Sequence, residues 1–220
     1  MKKWVAAGVL VTASSCAYYY YYIRPSQRLE TLMILTEKRM LEVLTKLKSV
    51  YKNQFTKHQK LFRSSRRKFS SNSKEYSDLV SEFYTSLPSI FSDSIDEAIK
   101  DFNITREIYD NSWRMLRTND QISEAFEECK IIVATGHHRK ELEVETLRDC
   151  LEFCKSKIDI EFLNLEALHL TVSVMEDELK ASYGFEIEDI ERGYNYFLES
   201  LNDYDSVFQM IKEARTIKDY

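Results

Sequence analysis

Apolar residues recur about every 3.6 positions over most of the chain, which is the spacing of one face of an α-helix. The first such pattern follows Ser26, a residue type that caps helix N-termini, and runs from Leu29 to Phe62. The chain has only four glycines and two prolines among 220 residues. Because these residues mark tight turns, their scarcity predicts long helices with few hairpins.

A second helical pattern begins where Asn72 and Glu75 have the spacing of a capping box. Pro88 is expected to interrupt it and to start another helix, because proline fits the first helical turn. Gly136 and Gly184 stand where helix C-caps are expected. Further helical patterns cover residues 104–117, 121–134, 139–157, 186–201 and 205–218.

Residues 158–175 are ambiguous, because apolar side chains there also alternate with period two. Ile158, Ile160 and Phe162 fit a strand, whereas Leu165, His169 and Val172 fit one helix face. No glycine, proline or Asn-Gly pair separates the two halves of the segment as a hairpin turn would. We therefore favour a helix here, with strands as the alternative.

Residues 4–23, which follow Lys2 and Lys3, form an uncharged stretch in which only three residues are polar. A helix of that length rises ~30 Å, about the thickness of one hydrocarbon core. The five consecutive tyrosines suit an aromatic belt at headgroup depth. The pattern predicts a transmembrane anchor comprising Trp4, Val5, Leu10, Tyr18, Tyr19, Tyr20, Tyr21, Tyr22 and Ile23.

Three other interpretations of this stretch remain open. Small residues at Ala13-Ser14-Ser15 fit the cleavage site of a secretory signal peptide, which would make the protein a secreted helical protein. Cys16 is a candidate for a bacterial lipoprotein anchor, and the stretch also fits a buried core helix. If it is an anchor, the excess of Lys and Arg after it keeps the bulk of the chain in the cytosol.

Charge is unevenly distributed along the chain. Residues 43–74 contain ten Lys or Arg and no acidic residue, whereas residues 75–220 contain 15 basic and 33 acidic residues. The predicted fold class is all-α, with an N-terminal single transmembrane helix followed by a multi-helix bundle. Its parts are an anchor (1–25), a long basic juxtamembrane helix (26–62), a Ser/Arg/Lys-rich linker (63–74) and an acidic α-helical domain (75–220), which is expected to be soluble when expressed alone.

The basic residues beside the predicted anchor suggest contact with membrane lipid. Each Lys or Arg at an anionic surface contributes roughly 1 kcal/mol of attraction. The predicted anionic-lipid contacts are Arg24, Arg28, Lys57, Lys60, Arg63, Arg66, Arg67 and Lys68. Nucleic acid is a weaker candidate polyanion here, because phospholipid lies nearer.

No catalytic or cofactor motif is present, so we expect neither enzyme activity nor a cofactor. Cys150 and Cys154 are one helical turn apart and follow His137 and His138, but a zinc site needs further ligands at defined spacing. The thiols are therefore expected to be buried and free. His169 is expected to be a core histidine. No phosphate loop, nucleophile elbow or HExxH sequence occurs.

The order of features resembles the family of the third peroxin, the peroxisomal receptor for a chaperone that delivers membrane proteins. The residues that carry the resemblance are "QRLETL", after the apolar stretch, and "SEFYTSLPSIFSDSIDEAI", with its Leu87-Pro88 step. It extends over residues 1–105 at most. The resemblance implies one N-terminal span, a long charged helix and an all-α cytosolic domain.

Together these features predict an organelle-membrane-anchored adaptor, receptor or tether with an acidic cytosolic interaction domain. Its localisation would be a mitochondrial, peroxisomal or endoplasmic reticulum membrane. The expected partners are membrane lipid and proteins with a basic surface, with no nucleic acid and no small-molecule substrate. The alternative is an accessory subunit of a mitochondrial membrane complex, which would expose large apolar patches when isolated.

Overall fold

The computed structural model describes residues 34–132, 134, 137, 139–157, 164–197, 201 and 204–216. All regular secondary structure in these residues is helical, which confirms the all-α class. The helices are α1 (Glu37–Arg66), α2 (Lys74–Lys100), α3 (Arg106–Leu116), α4 (Asp120–Lys130), α5 (Val144–Ser156), α6 (Leu165–Tyr183), α7 (Ile187–Tyr196) and α8 (Asp205–Arg215).

Short polar side chains begin most of these helices. Each accepts a hydrogen bond from a backbone N–H of the first turn that has no partner within the helix. The residues that do so are Thr36, Ser73, Thr105, Asn119 and Asn164. Gly184 ends α6 with φ 78°, the left-handed conformation that glycine adopts without strain, as the sequence predicts.

The first four helices enclose one apolar core. α1 and α2 form an antiparallel pair: Lys46 lies 2.6 Å from Asp101 near one end, and Phe62 contacts Phe83 near the other. Aromatic rings fill the seam between them, with the centroids of Tyr51 and Phe91 5.0 Å apart in an edge-to-face arrangement. α3 and α4 close this core from the side.

The last four helices enclose a second apolar core. Its buried side chains include Leu147, Leu151, Val172, Met175 and Ile190. α6 joins the two cores, because it packs on α5, α7 and α8 and also lies against α2. The ring of His169 on α6 stacks on Tyr84 of α2 with 3.7 Å between centroids. α6 therefore packs against both cores.

Several predicted boundaries differ from the structure. Residues 158–163 lie outside the described part, but residues 165–175 are helical and belong to α6. Ser73, not Asn72, caps α2, and Pro88 lies inside α2 instead of starting a new helix. The predicted linker 63–74 is replaced by the end of α1 and a short turn, which connects two helices that share a core.

The membrane-spanning part of the predicted fold class requires correction. No helix in the described ranges combines the length and the apolar character needed to cross a bilayer. The all-α part of the predicted fold class is retained. The transmembrane helix and the single-pass localisation are wrong for the described part of the chain. The predicted anchor residues lie outside the described residues: Trp4, Val5, Leu10, Tyr18, Tyr19, Tyr20, Tyr21, Tyr22 and Ile23.

Candidate functional site

A buried network of charged side chains joins α1 to the second core. We call it the arginine network; its members are Arg63, Arg66, Arg67, Arg215, Glu176, Asp177, Glu186, Glu188 and Glu191. At its centre the Glu176 side chain, 3% exposed, receives Arg63 at 3.0 Å, Arg66 at 2.8 Å and Arg215 at 3.0 Å. Three guanidiniums thus share one carboxylate in an enclosed environment.

The outer members of the network are held by paired hydrogen bonds. Arg63 donates to both carboxylate oxygens of Glu188 at 2.9 Å each, and Arg67 donates to both oxygens of Glu186 at 3.0 and 2.8 Å. This two-bond geometry matches the planar guanidinium to the carboxylate. The network therefore fixes the end of α1 against the residues that begin α7.

Burial and charge act in opposite directions on the carboxylates. Burial alone would raise the pKa of Glu176, but the three arginines outweigh it and hold this pKa well below its ordinary value. Burial is likewise outweighed at Glu188, where Arg215 and Arg63 keep the pKa low. At Glu191 burial prevails over Arg215 and raises the pKa. The ionised network thus depends on its arginines.

An apolar groove, here called the α2–α6 groove, lies between α2 and the first half of α6 and has a volume of about 540 Å³. Apolar side chains that line it are Val80, Tyr84, Leu87, Pro88, Leu165, Leu170 and Ala214. Leu165 is 40% exposed at the start of α6, which leaves an accessible leucine at the groove. Glu166 is the one formally charged side chain among the described residues of the lining.

A second depression, here called the basic cleft, has a volume of about 500 Å³ and lies between α1 and α7. Seven cationic side chains line it: Arg63 and Arg67 from the network, together with Lys52, Lys60, Arg139, Lys180 and Arg192. Three carboxylates line it as well, those of Glu186, Glu188 and Asp189. This local excess of positive charge contrasts with the net charge of −5 of the whole chain.

The structure places the predicted lipid-contact residues in different environments. Lys60, Arg63 and Arg67 come together in the basic cleft, while Lys57 and Lys68 are exposed and do not line it. Lipid contact by Arg63 and Arg66 requires correction, because these side chains are 7% and 2% exposed and are occupied by carboxylates. Arg24 and Arg28 lie outside the described residues.

Sequence reasoning missed the residues that complete these sites. Arg215 lies in the network, and Arg139, Lys180 and Arg192 lie in the cleft. The available signal was the spacing of Arg63, Arg66 and Arg67, which places three cations on neighbouring positions of one helix end. That spacing indicates a shared site, but it does not identify carboxylates more than a hundred positions away.

The cysteines are located where the sequence predicts, whereas His169 lines the α2–α6 groove instead of lying in a core. Cys150 and Cys154 are buried free thiols, and burial raises their pKa to about 11 and about 12. They are therefore protonated at neutral pH and contribute to packing. His169 is partly buried in the stack with Tyr84. In the described ranges no group of His, Cys, Asp and Glu has the arrangement of a metal site.

Comparisons with known family models, curated proteins and solved structures give no significant match to this chain.

Proposed function

We propose that this protein is a helical adaptor whose α2–α6 groove binds a basic amphipathic helix of a partner protein. The observation that carries the proposal is an accessible apolar groove beside a helix with an acidic outer face. Binding of an amphipathic helix in a groove between two helices is a common mode of recognition, with apolar anchors at helical spacing.

The dimensions and lining of the groove suit such a ligand. Its apolar residues come from α2, α6 and α8, so they form a continuous surface across three packed helices. Tyr84 and His169 both line it and are stacked on each other, which gives the groove a wall already held in place. A partner that inserts apolar side chains gains burial without having to order this wall.

Acidic charge on the exposed face of α2, outside the groove lining, favours a basic partner. Exposed acidic residues on α2 are Glu75, Asp78, Glu82, Asp93 and Glu97, against two exposed lysines, Lys74 and Lys100. Such a surface raises the association rate of a cationic helix at low ionic strength. The segment with the Leu87-Pro88 step, on which the resemblance to the third peroxin family rests, contributes both of those residues to the groove.

The distribution of exposed apolar side chains favours an adaptor over an accessory subunit of a membrane complex. Large exposed apolar residues in the described ranges are Ile34, Leu61, Phe69, Met115, Leu165 and Tyr196. They are six single side chains, whereas a subunit packed within a larger complex is expected to present one extended apolar patch.

A peptide-binding experiment tests the proposal. The probe is a fluorescent amphipathic helix made of leucine and lysine, and the readout is its anisotropy with the full-length protein at several salt concentrations. Leu165→Glu is expected to weaken binding by about tenfold or more, since it places a charge at the apolar opening. The variant should fold, because a carboxylate in the first turn of α6 is favourable.

Leu61→Glu is the matched control, because Leu61 is 62% exposed on α1 and does not line the groove. Equal loss of affinity in both variants would show that the peptide binds elsewhere. A photo-crosslinking amino acid at position 165 in living cells then identifies the natural partner, and a crosslinked segment without basic amphipathic character contradicts the proposal.

A further inference from the structure

We propose that the basic cleft is a binding site for a ligand that carries clustered phosphate groups. The cleft is separate from the α2–α6 groove, since no residue lines both among those the structure describes. This second site is therefore independent of the adaptor function. Its evidence is the charge balance of the lining, the pairing of each cation, and the size of the cleft.

The carboxylates of the cleft are shared and leave the cations under-neutralised. Asp189 accepts Arg192 at 2.6 Å and Arg139 at 3.4 Å, so one negative charge faces two positive ones. Glu186 lies 2.8 Å from Arg67 and 3.6 Å from Lys180. Glu188 also contacts two arginines, Arg63 and Arg215, but both are paired with Glu176 as well, so the spare positive charge of the cleft lies on Arg139, Arg192 and Lys180. An incoming anion would complete the charge pairing of these groups.

Two lysines on α1 extend this positive surface along the cleft. Lys60 is exposed, and no carboxylate of the described residues forms an ion pair with it. Burial lowers the pKa of Lys52, and the neighbouring Arg192 lowers it further against the attraction of Glu191. Cations gathered in one depression repel each other, and a bound polyanion would relieve that repulsion.

The composition of the lining favours phosphate groups. Guanidiniums donate two parallel hydrogen bonds to phosphate oxygens, and lysines add mobile positive charges. The volume of about 500 Å³ is within the range of small-molecule sites, roughly 300–1,000 Å³. The chain as a whole is acidic, so a long polyanion such as nucleic acid would meet repulsion outside the cleft. A compact ligand with clustered phosphates avoids that repulsion.

Isothermal titration of the full-length protein with tripolyphosphate tests this inference at ionic strengths near the physiological value. The test variant is Lys60→Gln/Arg139→Gln, and the matched control is Lys57→Gln/Lys140→Gln, which removes the same charge from exposed neighbours that do not line the cleft. The test variant is expected to lose about tenfold or more in affinity, and the control less than about threefold. Lys60→Arg should retain binding.

Two further probes distinguish the possible sources of the phosphates. Vesicles of phosphatidylcholine with and without phosphatidylinositol bisphosphate test a lipid headgroup, and hexaglutamate tests a carboxylate-rich segment. Binding to tripolyphosphate or to phosphoinositide vesicles, lost in the test variant, supports the site and assigns its source. No binding of either, equal loss in both double variants, or tighter binding of hexaglutamate than of tripolyphosphate overturns the inference.

Discussion

Replacing Glu176 by glutamine tests how far the arginine network holds the two cores together. Glutamine keeps the shape of the side chain and removes its charge, so packing is disturbed as little as the chemistry allows. Arg63, Arg66 and Arg215 would then face a neutral amide, although their side chains are only 7%, 2% and 2% exposed. Water has little access to replace the lost carboxylate.

The expected loss of unfolding free energy depends on the carboxylates that each arginine still contacts in the variant. Arg66 keeps Asp177 at 2.7 Å, and Arg63 and Arg215 keep Glu188 at 2.9 and 2.8 Å. The loss is therefore smaller than three separate ion pairs, and we expect the cost of breaking one buried pair, about 3–5 kcal/mol. Native domains have about 5–15 kcal/mol of stability, so this variant would lose a large share of it.

The assay is urea unfolding followed by circular dichroism, with Glu178→Gln as the matched control. Glu178 lies on the same helix and pairs with Lys157 at 2.6 Å, but the two side chains are 41% and 37% exposed. Removing an exposed pair costs about 1 kcal/mol or less. If Glu176→Gln lowers the unfolding free energy no more than Glu178→Gln does, the network does not hold the cores together.

Three further predictions concern stability. Burial opposes ionisation of Glu188, but its arginine neighbours keep its pKa low. Its contribution to the unfolding free energy is therefore present above about pH 4.3, the ordinary pKa of glutamate, and is lost as pH falls further. Unfolding free energies that stay constant from about pH 5 to pH 3 contradict this. Tyr51→Phe should leave stability unchanged or raise it by about 1 kcal/mol, because the described residues offer no partner to its buried hydroxyl; a loss above about 1 kcal/mol in urea unfolding would point to a hydrogen bond. Residues 75–220 expressed without α1 should lose helix content in α2, α3 and α4 while the second core remains, and a synthetic α1 peptide should restore that helix content; a fragment that keeps the full helix content alone contradicts the shared core.

Helix content could be predicted from the sequence because its signals are local. Apolar positions such as Leu44, Leu47 and Tyr51 recur at the helical spacing and all lie in the first core. Gly184 ends α6 as expected because a left-handed C-cap needs only glycine at one position. Pro88 differs from its prediction, because tertiary packing continues α2 through a residue that would end an isolated helix.

The pairing of charges could not be predicted in this way. A run of ten cations without an acid predicts a surface that faces lipid, since composition records the sign of charges but not their neighbours. In the fold Arg66 donates to Glu176 at 2.8 Å across a separation of 110 residues. Some acidic residues among positions 75–220 thus form ion pairs with the basic segment inside the fold. The uneven distribution of charge along the sequence therefore reflects ion pairs within the fold as well as contacts with any partner.

One helix relates all three parts of the candidate functional region. Leu165 and Glu166 in the first turn of α6 line the α2–α6 groove, Glu176 near its middle centres the arginine network, and Lys180 lines the basic cleft. The distance along α6 from the first of these residues to the last is ~22 Å at helical rise. Buried polar contacts leave a helix fewer alternative registers than apolar contacts do, because every displaced charge loses its partner. The network at Glu176 therefore fixes the register of α6, and with it the positions of both sites.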